Sequence, residues 1–268
     1  MKIIFIFAGC FLFTVANAQQ DSSFRVSRKV VGDFVSFTAD NLGNLYLISV
    51  QNQLKKLNPK GDSMGVFNDV KKYGKLYSID ATNPLKTVLF YRDFRTILAL
   101  DRLMSVVNII DLRKRGIFQV RAVALAYDNN FWVFDEQESK LKRLDEEGKL
   151  ISETADLRLV FGEAIIPVRM FDQNRFVWLY DPAKGMFIFD YYGALKNKLP
   201  LLNWTDVQVV GSTIFGMKDG KLLVYETGTL QLKETDLPPF ISSADTIQIS
   251  PLGIYVLSPG ELRLYIQK

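Results

Sequence analysis

From Phe34 onward the chain repeats about every forty residues, and this period constrains the fold more than any other feature. An apolar residue followed by a small acid or amide, usually with a turn glycine behind it, recurs through the chain. The pairs are Leu57-Asn58 with Gly61, Leu100-Asp101, Leu144-Asp145 with Gly148, Phe189-Asp190 with Gly193 and Tyr225-Glu226 with Gly228; Tyr265 falls in register. The steps are 43, 44, 45, 36 and 40 residues. Ahead of each lies a polar turn and a strongly apolar run, as in Asp40–Asn44 before Leu45–Ile48, Asp128–Asn130 before Phe131–Phe134, and Pro251–Gly253 before Ile254–Leu257. Such runs are short, rich in Val, Ile, Leu and aromatics, and lack a sustained 3.6-residue period, so they read as antiparallel strands. Four strands in about forty residues, repeated around a ring, is the unit of a β-propeller. The spacing predicts an all-β, six-bladed β-propeller of four-stranded antiparallel blades, with residues 19–268 as one domain. The sixth unit lacks an outer strand, and Phe24–Val31 belongs to no blade. Pairing the two ends closes the ring and removes an exposed sheet edge.

The turn Asp40–Asn44 leading into Leu45-Tyr46 resembles the Asp-x-x-Gly-Asn turn of the broad NHL/SMP-30 class of six-bladed propellers, and Asp128–Trp132 and Asp172–Trp178 match it in part. Blades two, five and six depart from it. The resemblance is architectural and covers essentially the whole chain after the leader. It implies that a central channel is available, which some propellers of this kind use to hold a divalent ion with Glu, Asn and Asp.

The N-terminus begins Met1-Lys2, continues apolar from Ile3 to Val15, and reaches Ala16-Asn17-Ala18 before a polar segment. A charged start, an apolar core too short to span a bilayer and small residues at the −3 and −1 positions read as a secretory signal peptide, residues 1–18, cleaved after Ala18. The sole cysteine, Cys10, lies inside it. Phe7-Ala8-Gly9-Cys10 also resembles a lipoprotein processing site, which gives the alternative of a lipidated start. On the first reading the protein works in the periplasm without any thiol, and therefore without disulfides or a cysteine nucleophile. No later segment is apolar enough to span a membrane.

Histidine is absent from all 268 residues, which excludes Ser-His-Asp and Cys-His catalysis and imidazole-bound zinc. No Gly-rich phosphate loop is present. The formal charge of +4 falls to +3 without Lys2, and acids are interspersed with the bases, so nucleic acid is not expected. The acids that remain mostly sit in turns, as Asp128, Asp145, Asp172 and Asp190 do, and read as side chains capping their own backbone. Glu163, ahead of the inner strand of blade four, is the best candidate for a channel ligand. The aromatics Trp132, Trp178, Phe187 and Phe189 read as core between blades.

Function is expected on the face where the longer connections between blades emerge, because loops on a rigid scaffold carry binding residues. That face collects Lys71, Lys72 and Tyr73; Arg92, Phe94 and Arg95; Arg113, Lys114, Arg115 and Phe118; and Phe161, Trp204, Pro239 and Phe240. Arginine and aromatics are the types enriched at protein interfaces. The sequence therefore predicts a non-enzymatic periplasmic scaffold or accessory subunit of a cell-envelope complex, in outer-membrane assembly or secretion. It would have other envelope proteins as partners and no cofactor. The alternative is a metal-dependent hydrolase or sugar-binding propeller that uses the central channel.

Overall fold

A computed structural model describes residues 23–268. The proposed leader, with Cys10 and the cleavage site after Ala18, lies outside the described residues.

The chain opens with β1 (Phe24–Val31). Blade one is β2 (Phe34–Ala39), β3 (Leu45–Ser49), β4 (Leu54–Leu57) and β5 (Ser63–Phe67). After α1 (Val70–Tyr73), blade two follows as β6 (Ser78–Asn83), β7 (Lys86–Tyr91), β8 (Thr96–Asp101) and β9 (Val106–Asp111). A 3-10 turn at Leu112–Arg115 leads to blade three: β10 (Val120–Leu125), β11 (Phe131–Asp135), β12 (Lys140–Leu144) and β13 (Leu150–Glu153). Beyond α2 (Leu157–Phe161), blade four is β14 (Arg169–Gln173), β15 (Phe176–Asp181), β16 (Gly185–Asp190) and β17 (Leu195–Leu199). Blade five is β18 (Thr205–Val210), β19 (Thr213–Lys218), β20 (Lys221–Glu226) and β21 (Gln231–Asp236). Past α3 (Pro239–Ser242), blade six is β22 (Thr246–Ser250), β23 (Gly253–Ser258) and β24 (Glu261–Gln267).

These strands form six four-stranded antiparallel sheets, and the fourth strand of blade six is β1, in the order β1-β24-β23-β22. The pairing runs from Phe24 opposite Gln267 to Val31 opposite Glu261, with a bulge at Ser27. The ring is closed by the N-terminal strand, as the unit count predicts. Neighbouring inner strands β2, β6, β10, β14, β18 and β22 contact one another around the axis.

Each seam between blades holds one buried apolar cluster, and the seam between blades six and one is built like the others, with Phe37, Leu45, Leu47, Tyr255 and Leu262. Trp132, Trp178, Phe187 and Phe189 are all buried in such seams. The seam between blades five and six is the thinnest. Six buried residues line it, against thirteen at the seams between two and three and between three and four.

The turn acids mostly behave as caps. Asp145 Oδ1 accepts from the backbone N–H of Glu147 and Lys149, and Asp190 Oδ1 from those of Tyr192 and Ala194. Asp172 departs from this pattern. Its carboxylate accepts the Trp132 indole N–H at 2.9 Å and the Tyr191 hydroxyl at 2.7 Å, tying blade four to blade three. Gly185 shows how closely the outer strand is laid on. Its φ is +97°, and a Cβ there would sit 2.0 Å from the Leu199 carbonyl oxygen, a contact no side chain tolerates.

Candidate functional site

Among the described residues, the connections between blades carry the three short helices and the 3-10 turn, so the loop face is more elaborate than the tight-turn face. The 3-10 turn shows how local chemistry shapes it. Asp111 caps its start by accepting the Arg113 backbone N–H, and Gly116 ends it in the left-handed region at φ +76°. The Leu112 N–H then bonds the Arg95 carbonyl, and Arg95 Nε donates to the Phe118 carbonyl at 2.9 Å. Those two bonds lock the turn after β7 to the connection between blades two and three.

The result is one continuous patch. Phe94 and Phe118 are 41% and 51% exposed, although both are large and apolar. Arg92 lays its guanidinium 5.1 Å over the ring of Tyr77, itself 43% exposed and edge-on to buried Phe90. Beside them the basic turn is only partly available. Arg113 is bound through two nitrogens to Asp111, each contact 3.0 Å, and Arg115 reaches around the rim to the Glu147 carbonyl. Lys114 is exposed and, among the described residues, makes no hydrogen bond or ion pair.

The other candidates lie elsewhere, and two are not surface residues. Tyr73 is 6% exposed and packs against Tyr91 in the seam between blades one and two. Trp204 is 5% exposed, and its backbone N–H donates to the Tyr180 hydroxyl, which donates back to the Trp204 carbonyl. Its ring occupies the space a Cβ would need at Gly216. Expecting both as surface anchors is therefore corrected: the loops fold them back onto the blade ends, where burial of a large ring is worth more than its exposure. Phe161 and Phe240 are half-buried, the first against Phe187 and the second against Tyr265, at seams remote from the patch. Tyr77 belongs to the patch and was missed by sequence reasoning. Its one available signal is its place directly before an inner strand.

Glu163 does not reach the axis. It pairs at 2.7 Å with Lys184 of the turn after β15, and that ammonium holds its carboxyl below the usual range. Among the described residues no group of three or more Asp or Glu converges as a metal site. The inner strands instead present Asp80, Arg169 and Asp206 toward the axis. Partial burial raises the Asp206 carboxyl. A cleft of about 530 Å³ opens beside Asp206 at the thin seam, lined also by Met217, Asp219, Ile241, Ser242 and Asp245.

No family of known sequence pattern matches the chain, and no curated protein matches it by sequence. Solved structures match the fold. Virginiamycin B lyase from Staphylococcus aureus is 14% identical, covering 85% of this chain and 78% of its own, at a TM-score of 0.58. PorZ, an essential bacterial surface component of the type-IX secretion system of Porphyromonas gingivalis, is 13% identical over 88% of this chain and 32% of its own, at 0.53. The extracellular domain of the putative hybrid two-component system BT3049 from B. thetaiotaomicron is 14% identical over 90% of this chain and 41% of its own, at 0.56.

Proposed function

We propose that this chain is exported to the periplasm and serves there as a non-enzymatic accessory subunit of a cell-envelope complex, in secretion or outer-membrane assembly. It docks an envelope protein on the loop face of blades two and three. The observation that carries this reading is the patch formed by Tyr77, Arg92, Phe94, Arg95 and Phe118, in which aromatic rings stay exposed while a backbone bond and the Arg95 side chain tie their loops together. Rings preorganised in this way lose little freedom on binding, and the basic rim selects a partner with carboxylates around an apolar centre. Support from comparison lies in PorZ and in the extracellular domain, both from surface settings. The leader-like N-terminus of the sequence agrees with them. No helix among the described residues is long and apolar enough to cross a membrane.

The test is affinity isolation from native envelopes with tagged wild type and with a Phe94→Ala/Phe118→Ala variant, both checked by thermal melting. Interface anchors each contribute about 2 kcal/mol or more on truncation, so partner recovery should fall at least tenfold. Lys114→Ser should change recovery mainly at raised salt. Wild-type recovery by the folded double variant would move the interface off this face.

A further inference from the structure

The inner strands carry five charged side chains, Asp80, Arg121, Arg169, Asp172 and Asp206. Four of them bind neighbouring protein groups. Asp80 Oδ2 accepts the Leu125 N–H of the next inner strand at 2.8 Å, while its Oδ1 holds the Thr82 N–H. Asp206 Oδ2 accepts the Ile247 N–H at 3.2 Å, Arg121 pairs with Glu136 at 2.8 Å, and Asp172 holds Trp132 and Tyr191. The carboxamides of Gln208 and Gln248 likewise stitch β18 to β22 and β22 to β2.

Arg169 alone among these five, within the described residues, has no hydrogen bond or ion pair; its guanidinium touches only the Phe171 ring, at 5.6 Å. It is exposed to solvent, yet it lies in the field of Asp206 from blade five and of Asp80 and Tyr77 from blade two. Blade three stands between blades two and four, so the axial channel is where a side chain of blade four meets groups of blade two. Arg169 is the first residue of β14, which puts it at the loop-face mouth of that channel. Five N–H donors in a planar fork stand open there, a geometry that matches a carboxylate. On the neighbouring inner strand, half-buried Asp206 has Oδ2 on the Ile247 N–H, and its Oδ1 has no hydrogen-bond donor among the described residues, so it is open to an incoming donor.

From this juxtaposition we infer that the mouth of the axial channel is a binding site for a small hydroxy- or amino-carboxylate. Arg169 takes the carboxylate, and Asp206 Oδ1 accepts from the ligand's hydroxyl or ammonium group. A ligand carrying both groups satisfies the open fork and the open oxygen together. A bare anion would face Asp80 and Asp206 without relief, so a simple carboxylate binds less well.

Calorimetric titration of the purified protein with galacturonate and glycine, against galactose, glycinamide and acetate, tests this. At least one of the two bifunctional probes should bind at least tenfold more tightly than its neutral counterpart and than acetate, and the arm that binds tells a sugar acid from an amino acid. Arg169→Gln should remove that preference at an unchanged melting temperature, and Arg169→Lys should keep part of it. Absence of binding by every probe, or equal binding by Arg169→Gln, overturns the site. A steep loss of melting temperature in Arg169→Gln, with no carboxylate preference in wild type, would make Arg169 a counter-ion for Asp80 and Asp206 instead.

Discussion

At the scale of single residues, the inner ring shows a carboxylate kept under adverse conditions because it does structural work. Asp206 sits at φ +50°, half-buried, with its oxygen on the Ile247 N–H. Burial lifts its pKa above the ordinary 3.8, offset in part by the Ile247 N–H and then by the charge of Arg169. A raised acid favours the native state by proton uptake, so its contribution is fully present below 3.8 and is lost as pH rises through the raised value. Asp206→Asn keeps an oxygen for Ile247 but carries no charge. Its melting temperature should exceed that of wild type at pH 7, with the gap closing as pH falls below 3.8. A variant less stable than wild type at pH 7 would show that the attraction to Arg169 outweighs desolvation.

At the scale of elements, closure depends on β1, whose eight residues come from the opposite end of the chain to β24. Without it β24 becomes a free edge and the cluster containing Phe37, Leu45 and Tyr255 loses the partly buried Val30 that packs on it. The lost ladder bonds and apolar contacts amount to about 5 kcal/mol. Deleting residues 19–31 should lower melting by about 10–20 °C in one transition or send the protein into aggregates. A melt unchanged from wild type would mean that closure contributes nothing. The element-level prediction from sequence held here because β1 left over and blade six incomplete are complementary facts, both visible as counts of strands.

At the scale of the whole molecule, six similar blades are not equally bound. The seam between five and six has the smallest buried cluster and the cleft, and every residue of β21 is exposed. Few buried apolar contacts mean a low local opening free energy. Amides of β21 and α3 should therefore exchange at least tenfold faster than those of β11 and β15, whose residues are buried almost throughout. Hydrogen exchange followed by mass spectrometry checks this. Equal rates in all blades would mean that the ring opens only as a unit.

Periodicity alone determined the class, the number of blades, the closing strand and the core aromatics, because strand alternation and turn chemistry are local properties that each unit repeats. The patch was half legible. Phe94, Arg95 and Phe118 could be placed on the loop face by counting strands, whereas Tyr77 could not. Only the tertiary structure decided that Trp204 and Tyr73 point inward, since that depends on the room left by Gly216 and by Tyr91 across a seam. The channel mouth was illegible for the same reason. Asp80, Arg169 and Asp206 lie on three different blades, and no local pattern relates them. They meet because the ring closes, and closure is a property of all six sheets at once.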